Sequence, residues 1–347
     1  MNPLNQTIQP LRTSVVALLL ATAILSPALV AADMTVARDT IRIKVTARSC
    51  FMNDEGCKGS QLVLYPELSC HLNGELPSGS TPWVEFRAAG KPPLRQDAAL
   101  DDVWGHENRW EIICGSLVSS DHGFIYPGKI PAGTIEFSIG IRNELAETNS
   151  TIYEGKFQYE KMLVSPGDES TADLLVNDDW RLPIGYLYMS DRGLRVVTWY
   201  RGRPGGVRTY LFCNGKEVAQ NEGCGIGDVD DFDPTHRMYW EVDCELVGVY
   251  GNAETAASGY EPNYDLSRNP GAYEVKCLAG GKLARVVKFT VNPDGSFDNG
   301  IATANQLGTE RVIVPVEVRL DVPPWNKAAW KTEAYYGHPL TGFVVPQ

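Results

Sequence analysis

One pattern of residues occurs twice in the chain, and it constrains the fold more than any other feature. The pattern is His-x3-Trp-Glu-x2-Cys, which spans His106–Cys114 in its first copy and His236–Cys244 in its second. Each copy is followed by a Pro and Gly turn and then by an alternating apolar segment. Motifs that recur in a fixed order indicate duplication of one structural unit. The sequence therefore predicts two related domains.

The secondary structure expected in both units is β-strand. Thr40–Thr46 and Val287–Val291 alternate apolar and polar residues with a period of two, which is typical of a strand with one buried face. Turn signals such as Asn73-Gly74 separate these segments, and no stretch has a convincing helical period. The predicted fold class is all-β, with two β-sandwich domains at residues 33–163 and 182–322, a linker at 164–181 and an aromatic tail at 323–347.

The aromatic tail carries the only helix signal. Asn326 is placed to cap a short helix from Lys327 to Tyr336, which ends at Gly337 with Pro339 beyond it. We expect this tail to pack on the second domain. A surface for a partner is the alternative.

The first 32 residues resemble a secretory signal. Arg12 precedes the apolar run Val15–Leu25, a Pro27 break and small residues, so we expect cleavage after Ala32. The alternative is an uncleaved membrane anchor, because the apolar stretch is about long enough to cross a bilayer. With cleavage, no membrane span remains. The predicted location is secreted, periplasmic or at the cell surface.

Charge narrows the range of partners. The formal net charge is −12 at pH 7. An acidic surface repels nucleic acid and anionic lipid, so it favours cationic ligands or metal ions. We expect a protein or glycan ligand and no nucleic acid.

Two segments resemble the middle and closing strands of immunoglobulin-like domains that occur in tandem in bacterial surface and secreted proteins. They are Tyr210–Lys216 and Gly271–Val291. The resemblance implies two immunoglobulin-like β-sandwiches and carries no activity with it. The chain departs from the pattern, because the second strand of the second unit lacks a cysteine and Tyr273 precedes Cys277 by four residues, where two are usual.

Eight cysteines follow the signal and fit an oxidising compartment, although eight allow 105 pairings. Side chains alternate between the faces of a strand, so Cys114 faces inward with Trp110, and Cys244 with Trp240. Cys70 and Cys277 are also expected to face inward. The predicted disulfides are Cys70–Cys114, Cys244–Cys277, Cys50–Cys57 and Cys213–Cys224.

The densest group of acidic residues is the candidate metal site. A glycine-containing loop holds Asp228, Asp230, Asp231 and Asp233. Clustered carboxylates suit Ca²⁺, which takes six to eight oxygen ligands, so calcium is the one possible cofactor. A solvated acidic turn is the alternative. Asp294, Ser296 and Asp298 form a weaker version of the same pattern.

The duplicated motif also places histidines and glutamates in matching positions. His106 and His236 fall in separate domains, so we expect a structural or surface role for each. Glu111 and Glu241 are expected to point away from the cores. Because they belong to different domains, no catalytic carboxylate pair is expected.

Trp199, Tyr200 and Arg201 are the candidate ligand-binding residues. They interleave aromatic and basic groups, which can stack on a sugar or hold an anion. A basic hairpin tip is the alternative. Nucleophile elbows, phosphate loops and zinc-protease motifs are absent from the sequence, so no catalytic residues are assigned.

The leading functional hypothesis is an exported, non-enzymatic binding, adhesion or surface-structural protein. The first alternative is a carbohydrate-binding module that uses aromatics such as Trp199, Trp325 or Tyr335. The second is a hydrolase whose site is assembled from distant residues.

Overall fold

The computed structural model describes residues 34–49, 61–103, 107–115, 123–161, 174–221, 223–228, 239–251, 264–298, 301, 311–320 and 325–346. Most of these residues lie in β-strands, which are joined by turns, loops and short 3-10 segments. The all-β prediction is confirmed. None of the helices in the described ranges is long and apolar enough to cross a membrane.

The first set of strands, β1–β10, forms two sheets. One has the order β1-β2-β6-β5, with β7 also on β2, and the other has the order β10-β9-β8-β3-β4. Val84, Phe86, Ile112 and Phe137 have no exposed area between the sheets. The bounds are β1 Thr35–Ser49, β2 Gln61–Asn73, β3 Ser80–Ala88, β4 Leu94–Asp97, β5 Ala99–Asp102, β6 Arg109–Cys114, β7 Phe124–Pro127, β8 Gly133–Asn143, β9 Thr148–Lys161 and β10 Leu174–Val176.

The second set, β11–β22, forms one sheet of ten strands and a small parallel pair, β17 with β18. The main order is β14-β13-β19-β20-β22-β11-β12-β16-β15, with β21 beside β20. The bounds are β11 Ile184–Met189, β12 Gly193–Arg201, β13 Val207–Cys213, β14 Lys216–Asn221, β15 Gly225–Asp228, β16 Tyr239–Val247, β17 Val249–Tyr250, β18 Tyr264–Asp265, β19 Gly271–Ala279, β20 Lys282–Val291, β21 Phe297–Asp298 and β22 Val312–Val318.

Strand β22 joins the two parts of the wide sheet. Its residues 312–315 pair with β11, and its residues 316–318 pair with β20. Pro315 stands where the partner changes. Because proline has no N–H to give to a ladder, it fits a point where one pairing ends and another begins.

The two sets repeat one strand order. β1-β2-β6-β5 corresponds to β11-β12-β16-β15, and β10-β9-β8-β3-β4 corresponds to β22-β20-β19-β13-β14. The duplicated motif occupies the same place in each, since Trp110 lies opposite Asp102 and Trp240 lies opposite Asp228. Duplication of one unit accounts for both observations. The domain boundaries at 163 and 182 stay predictions.

Residues 174–181, predicted as part of a linker, are structured. They contain β10 and a single 3-10 turn, Asp179–Arg181. Trp180 and Arg181 in this turn are each 1 % exposed. This segment therefore belongs to the packed interior between the two sets.

The aromatic tail forms two single 3-10 turns, Ala329–Lys331 and Ala334–Tyr336. It packs mainly on the first set, although the second was expected. The Tyr336 ring lies 5.8 Å from the Phe137 ring of β8, and Tyr336 is 1 % exposed. The burial of its aromatic rings determines where the tail docks, and sequence spacing does not encode that choice.

One disulfide in the described residues replaces two predicted ones. Cys224 is bonded to Cys244, so the Cys213–Cys224 and Cys244–Cys277 predictions are wrong. The register explains the pairing. Gly225 lies opposite Asp243, which places the preceding Cys224 opposite Cys244. Cys213 and Cys277 instead lie in the part of the sheet that contains β13 and β19, and both are free thiols.

The predicted Cys70–Cys114 disulfide is also absent. Both thiols are buried and free. Cys70 lies opposite Ile112 and Cys114 lies opposite Leu68, so the two are diagonal neighbours and not a facing pair. Diagonal positions are about 7–8 Å apart, beyond the usual reach of a disulfide. The predicted Cys50–Cys57 pair lies outside the described residues.

Candidate functional site

A polar groove runs along the junction between the two sets. We call it the junction groove, and its volume is about 700 Å³. Its charged lining residues are Arg42, Arg192, Arg195, Glu241, Asp243 and Glu245. Such a cavity at the meeting of two structural units is a common location for ligand sites.

The acidic side of the junction groove is formed by alternate residues of β16. Trp240, Val242 and Cys244 of β16 are buried in the second core, so Glu241 and Asp243, which alternate with them, face the groove. The motif parity predicted from the sequence is therefore confirmed in this copy. The same alternation places Glu245 in the row.

Arginines from the neighbouring strand neutralise this row. Arg195 of β12 lies opposite Glu245 and contacts Asp243 at 2.7 Å and Glu245 at 3.3 Å. Arg192 also contacts Glu245, at 3.3 Å. Tyr188 donates its hydroxyl to Asp243 Oδ2 at 2.8 Å. Burial, followed by the Asp243 carboxylate, raises the pKa of Tyr188, which therefore stays protonated at neutral pH.

Arg42 links the two sets across the junction. Its guanidinium contacts Glu241 Oε2 at 3.2 Å and donates to the Asp39 carbonyl at 2.7 Å. It also lies 5.5 Å from the ring centroid of Trp199. A half-buried ion pair with an aromatic neighbour holds its side chain in one geometry. Arg42 thus connects β1 of the first set with β12 and β16 of the second.

A second cavity, of about 420 Å³, adjoins Arg42 from the side of the first set. We call it the inner cavity. Its lining includes Asp39 of β1, Arg109 and Glu111 of β6, and Arg311 beside β22. Glu111 and Glu241, the glutamates of the two motif copies, therefore line two cavities that share Arg42. The sequence placed them in separate domains without a common neighbour.

Asp39 is the most unusual residue of the inner cavity. It is 2 % exposed, and neither carboxylate oxygen has a hydrogen-bond partner among the described residues. Burial raises the pKa of Asp39, against the opposing charges of Arg311, Arg42 and Arg109. The Nε of Arg109 is likewise buried without a partner in the described part of the chain. Both residues line the inner cavity, although these three polar atoms themselves have almost no accessible area.

Behind the cavities, a buried polar cluster holds the junction together. Arg181 donates from Nε to Asp178 at 2.8 Å, and from one terminal nitrogen to the Ile41 carbonyl at 2.9 Å and the Tyr336 hydroxyl at 2.8 Å. The Arg181 guanidinium also lies 4.9 Å from the Trp199 ring centroid. This one side chain contacts β1, the linker segment, the second set and the tail.

Tyr335 adds a second link from the tail. Its hydroxyl lies 3.0 Å from that of Tyr186, and its carbonyl accepts the Tyr153 hydroxyl at 2.5 Å. Tyr186 belongs to β11 and Tyr153 to β9, so the tail contacts both sets. Burial raises the pKa of Tyr186 to about 12, and the residue stays neutral.

The predicted ligand-binding residues Trp199, Tyr200 and Arg201 are not a surface site. Trp199 is 1 % and Tyr200 5 % exposed, and the Arg201 guanidinium lies 3.7 Å from Asp179. Both faces of β12 are covered: Tyr200 packs in the second core, while Trp199 packs at the junction. Covered rings cannot stack on a sugar.

The other two proposed sugar-stacking residues, Tyr335 and Trp325, are also buried in whole or in part. Tyr335 has no exposed area, and Trp325 is half-buried against the small cluster that contains Trp199. Of the three aromatics named for the carbohydrate hypothesis, only Trp325 therefore keeps an accessible face.

Most of the predicted calcium site lies outside the described residues. This applies to Asp230, Asp231 and Asp233, to the side chain of Asp228, and also to His106 and His236. In the weaker loop, Asp294 Oδ1 accepts the Ser296 backbone N–H at 2.9 Å and its hydroxyl at 2.6 Å, so this carboxylate closes its own turn. No cluster of three potential metal ligands occurs within the described ranges.

Sequence reasoning missed Asp39, Arg42 and Arg195. A signal for the groove was available, because Glu241, Asp243 and Glu245 form a period-two acidic stripe on a strand whose other face is apolar. A charged stripe opposite a core face indicates a second covered or functional surface. Nothing in the spacing pointed to Asp39, whose burial depends on contacts between distant segments.

No protein-family model matches the chain, and no curated protein is significantly similar to it.

Proposed function

We propose that each set is an immunoglobulin-like sandwich. The orders β1-β2-β6-β5 and β11-β12-β16-β15 match the A-B-E-D sheet of that fold, and β3, β8 and β9 correspond to the C, F and G strands of the opposing sheet. Cys70 on β2 and Cys277 on β19 lie on the two strand types joined by the usual inter-sheet disulfide, one in each set.

We further propose that the protein is an exported, non-enzymatic binding protein whose binding surface is the junction groove. The observation that carries this proposal is the row of paired charges along the groove, supported by residues of both sets. An ion pair that is partly exposed, such as Arg195 with Asp243, can exchange partners with an incoming charged group at low cost. The buried Arg181 cluster behind the row keeps the surface rigid, which limits the entropy lost on binding.

The expected partner is a protein or glycan that presents both signs of charge, since the groove itself carries both. The apolar run near the start of the sequence and the disulfide Cys224–Cys244 support an oxidising compartment outside the cytoplasm. A hydrolase remains the competing class.

A matched pair of arginine variants tests the proposal. Arg195→Glu reverses a charge in the groove, whereas Arg208→Glu makes the same change at an exposed position of β13 outside it. On arrays of extracytoplasmic proteins and glycans, we expect the wild-type protein and Arg208→Glu to share ligands that Arg195→Glu loses. Turnover of ester, glycoside or peptide substrates that a single substitution abolishes would contradict a non-enzymatic role.

A further inference from the structure

Strand β15 forms one edge of the ten-stranded sheet and borders the junction groove. It pairs with β16 on one side, and no strand in the described ranges pairs with its other side. The lining of the groove includes Gly223, Gly225 and Ile226 from this edge. A sheet edge that opens into a groove can accept an added strand from another chain.

The register shows which backbone groups of β15 point outward. Cys224 lies opposite Cys244 with a Cα–Cα distance of 4.4 Å, which is the spacing of a non-hydrogen-bonded pair in an antiparallel ladder. Because the two kinds of pair alternate, Ile226 also belongs to a non-hydrogen-bonded pair, with Val242. Its N–H and C=O therefore point away from β16, and neither has a hydrogen-bond partner among the described residues. The edge thus presents a donor and an acceptor to a further strand.

The groove side of this edge carries no side chains. Cys224 and Ile226 pack against the second core. The residues that alternate with them face the groove, and these are Gly223, Gly225 and Gly227. A Cβ built on Gly225 would meet only the carbonyl of Asp243, at 3.6 Å, and one built on Gly223 would meet nothing within 4 Å. The space over the edge is therefore open to side chains of an added strand.

The matching edge of the first set differs at this point. Asp101 of β5 lies opposite Glu111, at the position where Gly227 of β15 lies opposite Glu241. A side chain that enters over β5 would meet the exposed carboxylate of Asp101, whereas one that enters over β15 meets a glycine. The two copies therefore offer different edges, and only that of the second set borders the junction groove.

The charged groups nearest to this edge are carboxylates. Glu241 lies opposite Gly227, and Asp243 lies opposite Gly225. Each carboxylate already pairs with an arginine, yet the side chain of Glu241 is 19 % and that of Asp243 23 % exposed. Arg195 of β12 lies one strand further from the edge. An added strand would therefore meet negative charge first, and the formal net charge of −12 also favours a basic partner.

We propose that β15 docks an extended segment of a partner protein as an additional strand, and that this segment carries Lys or Arg at alternate positions. The added backbone pairs with the N–H and C=O of Ile226. Its basic side chains pass over Gly225 and Gly227 and reach Asp243 and Glu241. The distance between the added strand and β16 is about 9.6 Å, twice the usual spacing of strands, which the long side chains of Lys and Arg can cover. The inference rests on the binding function proposed for the junction groove and specifies a protein partner for it.

Titration calorimetry with synthetic peptides on the full chain tests this docking. The main probe is a short peptide in which lysine and threonine alternate, because threonine favours extended structure. One control has the same composition with its lysines in a single block, and another has glutamate in place of lysine. We expect the alternating-lysine peptide to bind at least tenfold more tightly than the block peptide, and the glutamate peptide not to bind. Failure of the alternating-lysine peptide to bind, or equal binding of the block peptide, would overturn the proposal.

N-methylation of the peptide separates strand pairing from attraction between charges. Two versions of the alternating-lysine peptide carry methyl groups on the amides of either the odd or the even residues, so both keep every charge. In an added strand only one of these two sets of amides faces β15. One version should therefore bind at least tenfold more weakly than the other. Equal binding of the two versions would refute strand addition.

Variants of Gly225 locate the peptide at β15. Gly225→Lys places a cation beside Asp243 and should weaken binding of the alternating-lysine peptide about tenfold. Gly225→Ala is the matched control and should bind as the wild type does, because its Cβ would make only an ordinary contact of 3.6 Å. Equal binding by the two variants, both shown folded by circular dichroism, would place the peptide elsewhere and overturn the proposal.

The results also separate this inference from the function proposed above. If Arg195→Glu loses array ligands while no peptide binds, the strand-docking inference fails and the binding function stands. If the alternating-lysine peptide binds at β15 and is also cleaved, the strand-docking inference stands and the non-enzymatic role fails.

Discussion

The two strand sets share one order but complete their cores differently. The core of the second set consists of residues between 187 and 316, all from its own strands and loops. The core of the first set also contains Trp180, Tyr186, Tyr335 and Tyr336, which come from the linker segment, the second set and the tail. The core of one copy is thus self-contained, and the core of the other depends on later parts of the chain.

The copies also differ in covalent support. The register of β5 on β6 matches that of β15 on β16, so Ala98 occupies the position of Cys224 and Cys114 that of Cys244. The second set has a disulfide there, while the first has a buried free thiol. One copy is therefore cross-linked internally, and the other is held by packing from outside. Four predictions test this contrast.

The largest effect is expected from Tyr336→Ala. This change removes a 1 % exposed ring that contacts Phe137 and the Arg181 cluster, and such truncations cost about 3–5 kcal/mol. Hydrogen exchange followed by mass spectrometry should show lost protection in β1–β10 and retained protection in β19–β20. Val344→Ala, in the same segment but 71 % exposed, is the control and should have little effect. Equal loss in both sets would show that their cores are not independent.

The next effect concerns the disulfide of the second set. Replacing both Cys224 and Cys244 by alanine opens a loop with a sequence separation of 20, which the chain-entropy model values at about 3 kcal/mol. Urea unfolding should register this loss, and hydrogen exchange should place it in β11–β22. Cys213→Ala, which removes a free and half-buried thiol, should cost less. If the first set were destabilised instead, the contrast drawn above would be reversed.

The missing cross-link of the first set can be supplied. Ala98→Cys places a thiol opposite Cys114, in the geometry that the second set uses for its own disulfide. The bond should form on oxidation and stabilise by up to about 3 kcal/mol, before any strain is subtracted. Non-reducing peptide mapping and urea unfolding provide the readouts. Ala88→Cys, also buried but opposite Ile135, should remain reduced. A bond from the new thiol to Cys70 would show that the two registers are not equivalent.

The smallest effect is a pH dependence that arises at Asp39 of the first set. Burial raises the pKa of Asp39 above its unfolded value, with Arg311, Arg42 and Arg109 opposing, so the folded state holds this proton more tightly. Protonated Asp39 therefore stabilises the folded state. This stabilisation is complete below the unfolded pKa of about 3.9 and is lost as pH rises through the folded pKa. Asp39→Asn should therefore melt at a higher temperature than wild type at pH 7, and the gap should close toward pH 4. A gap that widens on acidification would contradict this assignment.

Much of the fold was predictable because it depends on local pattern. Period-two alternation indicated the strands, and parity within the motif correctly placed Val242 and Cys244 inward and Glu241 outward. The duplicated order of elements followed from the repeat itself. These features are determined by residues close in sequence, so one amino-acid sequence is enough to predict them.

The site and the cross-links depend on register and docking, which local pattern does not specify. Cys224 faces Cys244 only because β15 pairs with β16 in one register, and a change of one residue would have altered the partner. Trp199 was interpreted as a ligand-binding aromatic because basic residues follow it in the sequence. Both faces of its strand are covered, and the second covering layer comes from the junction. Asp39 lies beside Arg109 and Arg311 only after the chain has folded back on itself.

The docking of the tail governs when folding can finish. Tyr153 of β9 bonds to Tyr335, which lies 182 positions later in the chain. Contacts of such long sequence separation close late and slow the approach to the native state. The first set, although made first, must therefore wait for residues 325–346 before its core is dry. A chain cut short before residue 325 would therefore leave the core of the first set incomplete, even though every strand of that set is present.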